Sequence, residues 1–298
     1  MTPSNFKTSL AAVVVTYNRR DALKETIQAY NRAGVDSLVV VDNASTDGTE
    51  EYLQAAKKAL GGMLHVIRTE ENLGGAGGFH LGIQYARDHQ LGDWLVISDD
   101  DSYPKPESLT LFKQRVEAGV YPGGMVSAKV SFPNGDLCPM NRPMAQPSVR
   151  KALSNWLSGG RPSQIQGDSL SANGIEPILA ASFVGMFVQR KVLEQTGVLP
   201  QSDFFLYWDD IAFCLDMGKA GQGIVFDPGL DFVHDCPRSS AQLAGQRLYF
   251  MVRNGYRTIA RLPLKVRLAA YPYKTINWLY LALKSRSLGW YLKALKEI

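Results

Sequence analysis

Apolar and polar positions alternate in blocks along the first hundred residues. Ala11–Val15 is a short apolar run rich in β-branched residues, and Arg20–Arg32 places Ala22, Leu23, Ile27 and Tyr30 near helical spacing. Leu38–Val41 predicts a second buried strand, Thr49–Leu60 a helix and Leu64–Arg68 a third strand. Gly74–Asp88 follows as a glycine-opened helix and Trp94–Ser98 as a fourth strand. Strands alternating with helices predict an α/β architecture, a parallel sheet with helices on its faces. Ligands in such sheets bind beyond the carboxyl ends of the strands. Four polar stretches fall there: Thr16–Arg19, Asp42–Asn43, Asn72–Gly78 and Asp99–Asp101.

The pattern loosens afterwards. Met125–Phe132 predicts a strand, and residues 133–177, rich in Pro, Gly, Ser and Asn, predict a loop excursion or lid. Ile178–Val188 is strongly apolar and precedes a helix over Lys191–Gln195. A further helix is expected over Asp209–Ala220, then short strands at Ile224–Phe226 and Phe232–Val233. After Pro237 the chain reads helical, over Gln242–Arg261, Leu264–Ala270 and Ile276–Leu295. The expected division is a catalytic unit over 1–237 and a helical segment over 238–298.

Of the 298 residues, 45% are hydrophobic and 20% charged, a globular balance that excludes wholesale disorder. The opening MTPSNFKTSL holds no apolar core of a signal peptide, and no uncharged apolar run reaches the roughly 18 residues of a membrane span. Cys138, Cys214 and Cys236 are odd in number and far apart, which predicts a reducing cytosol and neither a disulfide framework nor a zinc site. The net charge of +4 is uneven. Residues 236–298 carry twelve Lys/Arg against one acid, Glu297, a net +11 that leaves −7 on the rest. Such asymmetry points to an anionic partner. With Trp278, Tyr280, Trp290 and Tyr291 interleaved, the segment fits a basic amphipathic surface peripheral on the cytoplasmic face of an anionic membrane. It also fits a helical cap on the catalytic unit, or an oligomer interface. No nucleic-acid motif accompanies the charge, so nucleic acid is not an expected partner.

Asp99-Asp100-Asp101 follows directly on an apolar strand. Three adjacent carboxylates repel one another unless a cation sits among them, and alternate carboxylates can face one divalent ion. A solvated turn before Pro104 is the other reading. Glu71–Phe79 holds four glycines at a helix start, where backbone approaches a ligand closely and amides favour anions, or where the chain merely turns. It is neither the dinucleotide fingerprint nor a P-loop. Asp209 and Asp210 follow Tyr207-Trp208 at a helix start. Each fits a cap, and beside Trp208 a partly desolvated carboxylate also fits a general base. His234 fits a structural histidine or, near an acidic site, a ligand for an Mn²⁺-like ion.

Val13–Arg19, Val41–Thr49, Asn72–Gly78 and Asp99–Asp101, in this order and strand context, resemble the inverting family 2 glycosyltransferases of the GT-A fold. The run Asn72–Phe79, with Trp208-Asp209-Asp210 and His234, is most similar to the galactofuranosyltransferases. The resemblance implies a nucleotide-binding mixed sheet with helices on both faces. It implies that Thr16, Tyr17, Arg19 and Asp42 hold the uracil and ribose of a UDP-sugar, with Asp100 near the ribose. Asn72, Gly74, Gly75 and Gly77 would line the diphosphate and sugar pocket. Asp99, Asp101 and His234 would coordinate Mn²⁺ or Mg²⁺. Asp210 would be the base, with Asp209 as runner-up, and Trp208 would pack against the acceptor. The implied acceptor is a lipid-linked glycan or oligosaccharide in O-antigen or capsule-type polysaccharide synthesis, and the implied donor UDP-galactofuranose; relatives using dTDP-rhamnose share most of the motifs.

Two readings compete. A sugar-phosphate nucleotidyltransferase would carry a glycine-rich loop after its first strand, where this chain has Thr16-Tyr17-Asn18-Arg19. A non-catalytic sugar-nucleotide-binding subunit would not need the acidic triplet and the base together.

Overall fold

The computed structural model describes residues 7–145, 174–238 and 243–298. Its first part alternates strand and helix: β1 (Leu10–Thr16), α1 (Arg20–Arg32), β2 (Ser37–Asp42), α2 (Thr49–Leu60), β3 (Leu64–Arg68), α3 (Gly74–Asp88) and β4 (Trp94–Asp99). There follow β5 (Ser102–Pro104), α4 (Ser108–Glu117), β6 (Met125–Ser131), β7 (Glu176–Ile178), β8 (Met186–Gln189) and α5 (Arg190–Thr196). The rest comprises α6 (Asp209–Lys219), β9 (Ile224–His234), α7 (Gly245–Ile259), α8 (Leu264–Lys284) and α9 (Leu288–Lys296).

The strands form one sheet in the order β3-β2-β1-β4-β8-β6-β9-β5, with β7 beside β9. The β3-β2-β1-β4 half is parallel, as the alternation predicts, and the direction reverses at β8. The sheet is therefore mixed. Its central strands are buried on both sides, which is why β1 reads as an unbroken apolar run. Ala12, Val14, Leu38 and Val40 face a core with Leu23, Ile27, Tyr30 and Phe112 from α1 and α4. Ala11, Val13, Val15, Val39 and Val41 face Phe79 and Ile83 of α3 and Phe213 and Met217 of α6. The helix α3 lies very close to β1: a Cβ on Gly78 would stand 2.4 Å from a methyl of Val15.

Three departures from the expected elements have physical causes. The apolar stretch 178–188 is not one strand. β7 and β8 are separate, because Gly185 adopts φ +70 against the Phe232 ring and turns the chain between them. The two short strands expected around Pro228 are one long β9. It survives the proline by a register shift against β6 between Ala128 and Lys129, so the missing N–H falls at an irregularity. The helix α8 runs through Pro272, where a break was expected. The carbonyl orphaned by that proline belongs to Leu268, an exposed residue whose backbone water can satisfy. The chain does break at 285–287, ahead of α9. Residues 146–173 of the expected lid, and Gln242 of the expected helix, lie outside the described residues.

The C-terminal helices form a third core from Leu248, Val252, Tyr256, Trp278 and Tyr291. Phe205 to Trp208, just before α6, pack into it.

Candidate active site

The carboxyl ends of β1, β2 and β4 meet through side chains. The Thr16 hydroxyl donates to Asp100 Oδ2 at 2.7 Å, and the Thr26 hydroxyl to the Asp100 carbonyl at 2.7 Å. Arg19 donates to Asp101 Oδ2 at 2.7 Å and lies 3.5 Å from Asp100 Oδ1. Asp100 and Asp101 are buried, whereas the Asp99 side chain is 44% exposed, so the triplet opens to solvent on one side. Burial pushes Asp100 up to about 7, against the opposing pull of Arg19 and Thr16. For Asp101 burial also acts upward, but His234 and Arg19 outweigh it and hold the carboxyl below its ordinary value.

His234 ends β9, whose last residues pair with β5 just beyond the triplet, and this pairing carries its ring into the acidic cluster. Nε2 lies 3.2 Å from Asp101 Oδ1 and 3.9 Å from Asp99 Oδ2. Nδ1 faces away, donating to Asn141 Oδ1 at 2.7 Å. Asn141 is oriented in turn, because its Nδ2 donates to the Ser182 hydroxyl at 2.8 Å. Burial alone would lower the imidazole, yet Asp101, Cys138 and Asp99 push it up to about 10.

Cys138 and Cys236, remote in sequence, meet beside this ring. With His234 they offer ligand atoms within 4.8 Å of one another. All three cysteines are free thiols, and Cys138 Sγ is 3.9 Å from an Nδ1 already engaged by Asn141.

On the expected donor side, Asp42 is buried and paired with Arg68, and it accepts from the Ser45 amide at 3.0 Å. Arg68 also donates to the Ser45 carbonyl at 3.0 Å. A cavity of about 190 Å³ lies beside them, lined by Asp42, Leu53, Lys57, Val66 and Arg68 among others. Tyr17 is 45% exposed at the same sheet edge. Arg68 was missed in the sequence; a lone cation closing an apolar strand at the ligand edge was the available signal.

The glycine-rich turn has a structural cause as well as any ligand role. The Gly74 amide donates to Asn72 Oδ1 at 2.8 Å, and the Gly74 carbonyl accepts from Asn43 at 3.0 Å, which ties the turn to β2. Gly74 has φ +70, and a Cβ there would fall 2.1 Å from the carbonyl oxygen of Phe205. Gly77 stands against Leu73, while Gly75 faces open space apart from Phe79. The turn thus makes room for the 202–208 loop.

That loop carries Asp209 and Asp210 to the site. Phe205, Tyr207 and Trp208 all have positive φ, at 61, 67 and 71, a strained run of non-glycine residues. It is held from α7. Asn254, fully buried, donates to the carbonyls of Phe204 (2.7 Å), Leu206 (2.8 Å) and Tyr207 (3.2 Å). Arg253 donates to the Asp203 carbonyl, and the Trp208 indole N–H donates to the Met251 carbonyl at 3.1 Å. Trp208 also meets Trp278 edge-on, with Lys274 5.4 Å above its ring, so much of its surface packs on the C-terminal helices. Asp209 is buried and Asp210 half-buried. Burial pushes Asp210 up to about 7; the Ile211 amide opposes this and the charge of Asp99 adds to it. Burial, then Asp210, raises Asp209 well above the ordinary carboxylate range, again with a contribution from Asp99. The charge of Asp99 is thus felt at both Asp209 and Asp210, which puts the triplet and the pair within electrostatic reach of each other.

Asp99, Asp101 and His234 place one ligand atom each within 4.8 Å of the others. Asp101 Oδ1 is buried, and its neighbour His234 Nε2 at 3.2 Å forms an ion pair but no well-aligned hydrogen bond, which leaves the acceptor open to a cation. Two carboxylates with one imidazole suit a hard or borderline divalent ion, so the residues fit the expected group.

Residues 11–170 match the family described as Glycosyl transferase family 2. The chain is 28% identical over 234 residues to galactofuranosyltransferase GlfT1 of Mycolicibacterium smegmatis, covering 76% of this chain and 71% of that one. Among solved structures it is similar to S. aureus TarS 1–349 in complex with UDP-GlcNAc, with a TM-score of 0.57, 17% identity, and 86% and 68% of the two chains covered. It is also similar to the mannosyltransferase PcManGT of Pyrobaculum calidifontis in complex with GDP-Man and Mn²⁺, with a TM-score of 0.56, 18% identity, and 86% and 64% covered.

Proposed function

The chain belongs to glycosyl transferase family 2, and from that premise we propose that it is an inverting, metal-dependent galactofuranosyltransferase. It uses UDP-galactofuranose and extends a lipid-linked or oligosaccharide acceptor of a cell-surface polysaccharide. The observation that supports this most is a clustered acidic group, Asp99 and Asp101 with His234, whose Asp99 charge is felt at the separate carboxylate Asp210.

Asp210, raised to about 7, accepts the proton of the acceptor hydroxyl. The freed oxygen attacks the anomeric carbon from the face opposite UDP, the bond to the diphosphate breaks, and the configuration inverts. Asp209, more strongly shielded, remains the alternative base. Asp99, Asp101 and His234 would hold the divalent cation, Mn²⁺ or Mg²⁺. When bound, that ion supplies charge neutralisation for the departing diphosphate. Thr16 and Arg19 fix the positions of Asp100 and Asp101. Asp42 and Tyr17 flank the uracil side, with Asn72 and Gly75 toward the diphosphate. Trp208 shapes the acceptor side next to the base. The likeness to GlfT1 supports the galactofuranose donor.

The test is UDP release from UDP-galactofuranose with Mn²⁺ and a galactosyl or rhamnosyl glycolipid analogue. Turnover with dTDP-rhamnose and none with UDP-galactofuranose would replace the donor and keep the reaction. Pyrophosphate release from UTP or dTTP with a sugar phosphate would replace the reaction itself.

A further inference from the structure

Exposed apolar side chains are concentrated on the last two helices. Of the fifteen large apolar side chains exposed among the described residues, twelve lie between Leu264 and Ile298. On α8, Leu268, Ile276 and Leu283 are 67%, 71% and 59% exposed and recur seven to eight residues apart, about two helical turns, along one outward face. The opposite face buries Trp278 and Ala282 in the third core. On α9, Leu288, Leu292 and Leu295 repeat the pattern at i, i+4 and i+7, while Tyr291 and Ala294 turn inward. A helix of 21 residues presents this face over roughly 30 Å. Scattered surface leucines need no explanation, but a continuous stripe does.

Charge decides what covers it. Lys265, Lys284, Arg286, Lys293 and Lys296 border the stripe, and the segment 236–298 is net +11. Its one acid, Glu297, is already engaged by Tyr249 and by Arg257 at its carbonyl. A second copy docking by two-fold symmetry would set this patch against itself and bring two such charges together. Among the described residues no helix is long and apolar enough to cross a membrane.

We propose that the outward face of α8 and α9 seats in the headgroup layer of an anionic bilayer, lying on the leaflet without crossing it. Apolar side chains enter the boundary of the acyl region and the lysines meet lipid phosphates. The helix α7 packs on this pair and holds the loop before Asp210, so the docked face and the general base belong to one helical block. The inference extends the reading of a lipid-linked acceptor and rests on it only for its purpose.

The test is co-sedimentation of the full chain with vesicles of phosphatidylcholine alone or mixed with phosphatidylglycerol, without donor or acceptor, so its failure leaves the transfer reaction untouched. The protein is expected to pellet with anionic vesicles, to remain soluble with neutral ones, and to be released by salt. Leu268→Glu/Ile276→Glu/Leu283→Glu, with an unchanged circular dichroism spectrum, is expected to lose at least about tenfold in partitioning. Lys265→Glu/Lys293→Glu, a charge change alone, is expected to weaken binding to anionic vesicles. Failure to pellet with anionic vesicles, or pelleting that the triple variant leaves intact, overturns the proposal. So does a dimer in light scattering that the triple variant converts to a monomer, since the face would then join two copies.

Discussion

The side-chain amide of Asn254 donates to the carbonyl of Phe204 at 2.7 Å, bridging the C-terminal helices and the loop that precedes Asp210, the proposed base. Asn254 is 0% exposed, and its one amide group donates to three carbonyls, of which that of Phe204 also accepts from the Leu206 amide at 2.7 Å. These contacts brace the run of Phe205, Tyr207 and Trp208, all of positive φ.

Asn254→Ala should therefore cost about 1–3 kcal/mol, the penalty for buried carbonyls without donors. Urea denaturation measures this. Because the strained loop also aims Asp210, kcat should fall while nucleotide affinity holds. A variant that loses stability but keeps kcat would separate the loop from the chemistry.

Asp210→Asn should lower kcat by about 100- to 10,000-fold, the usual worth of a positioned base. UDP affinity by calorimetry should stay unchanged. Asp209→Asn should do far less to kcat; the reverse result would exchange their roles.

The pH profile follows from the same group. The Asp210 carboxyl is raised to about 7 in the fold, and only its ionised form accepts a proton. Activity should rise with pH through about 7 and be lost below it. The stability sign is opposite. A raised carboxyl favours the fold at low pH and loses that contribution as pH climbs through the folded value. Asp210→Asn should make this slope shallower between pH 4 and 7, leaving the part due to the raised Asp100 and Asp209, as denaturation midpoints across that range will show.

The cation site should depend on a residue outside it. Asn141 accepts from His234 Nδ1 and leaves Nε2 for the acidic side. Asn141→Ala should weaken Mn²⁺-dependent UDP binding by about 10- to 100-fold. Asp101→Ala, or a chelator, should abolish the metal dependence. Unchanged calorimetric affinity in both variants would remove the metal assignment.

Gly74→Ala places a methyl into the Phe205 carbonyl at a residue with φ +70. The backbone term alone is about 1–2 kcal/mol, so the melting temperature should drop clearly. Gly75→Ala, with open space around it, should be tolerated in stability.

The parallel half of the sheet was legible in the sequence because local signals suffice there. Arg20–Arg32, Thr49–Leu60, Leu64–Arg68 and Gly74–Asp88 fold over the predicted spans, since each strand is a continuous apolar run and each helix an amphipathic one. The acidic triplet was legible for the same reason, as polar residues abruptly ending a buried strand. What the sequence concealed were groups that meet only in three dimensions. Asn141 lies in a stretch without periodicity, and Asn254 sits within a helix, where it resembles any polar surface residue. Cys138 and Cys236 are joined by the pairing of β6 with β9. Glycines expected to admit a ligand or merely to turn the chain prove to admit another loop as well, which depends on Phe205, some 130 residues away.

The bracing of the base loop by α7 governs how this enzyme can be trimmed. Ending the chain after β9, the obvious way to shed a sticky tail for crystallisation, removes Asn254, Met251 and Trp278 together and leaves the Asp210 turn unsupported. Handling would be better improved by substituting outward leucines on the last two helices, with the polypeptide kept at full length.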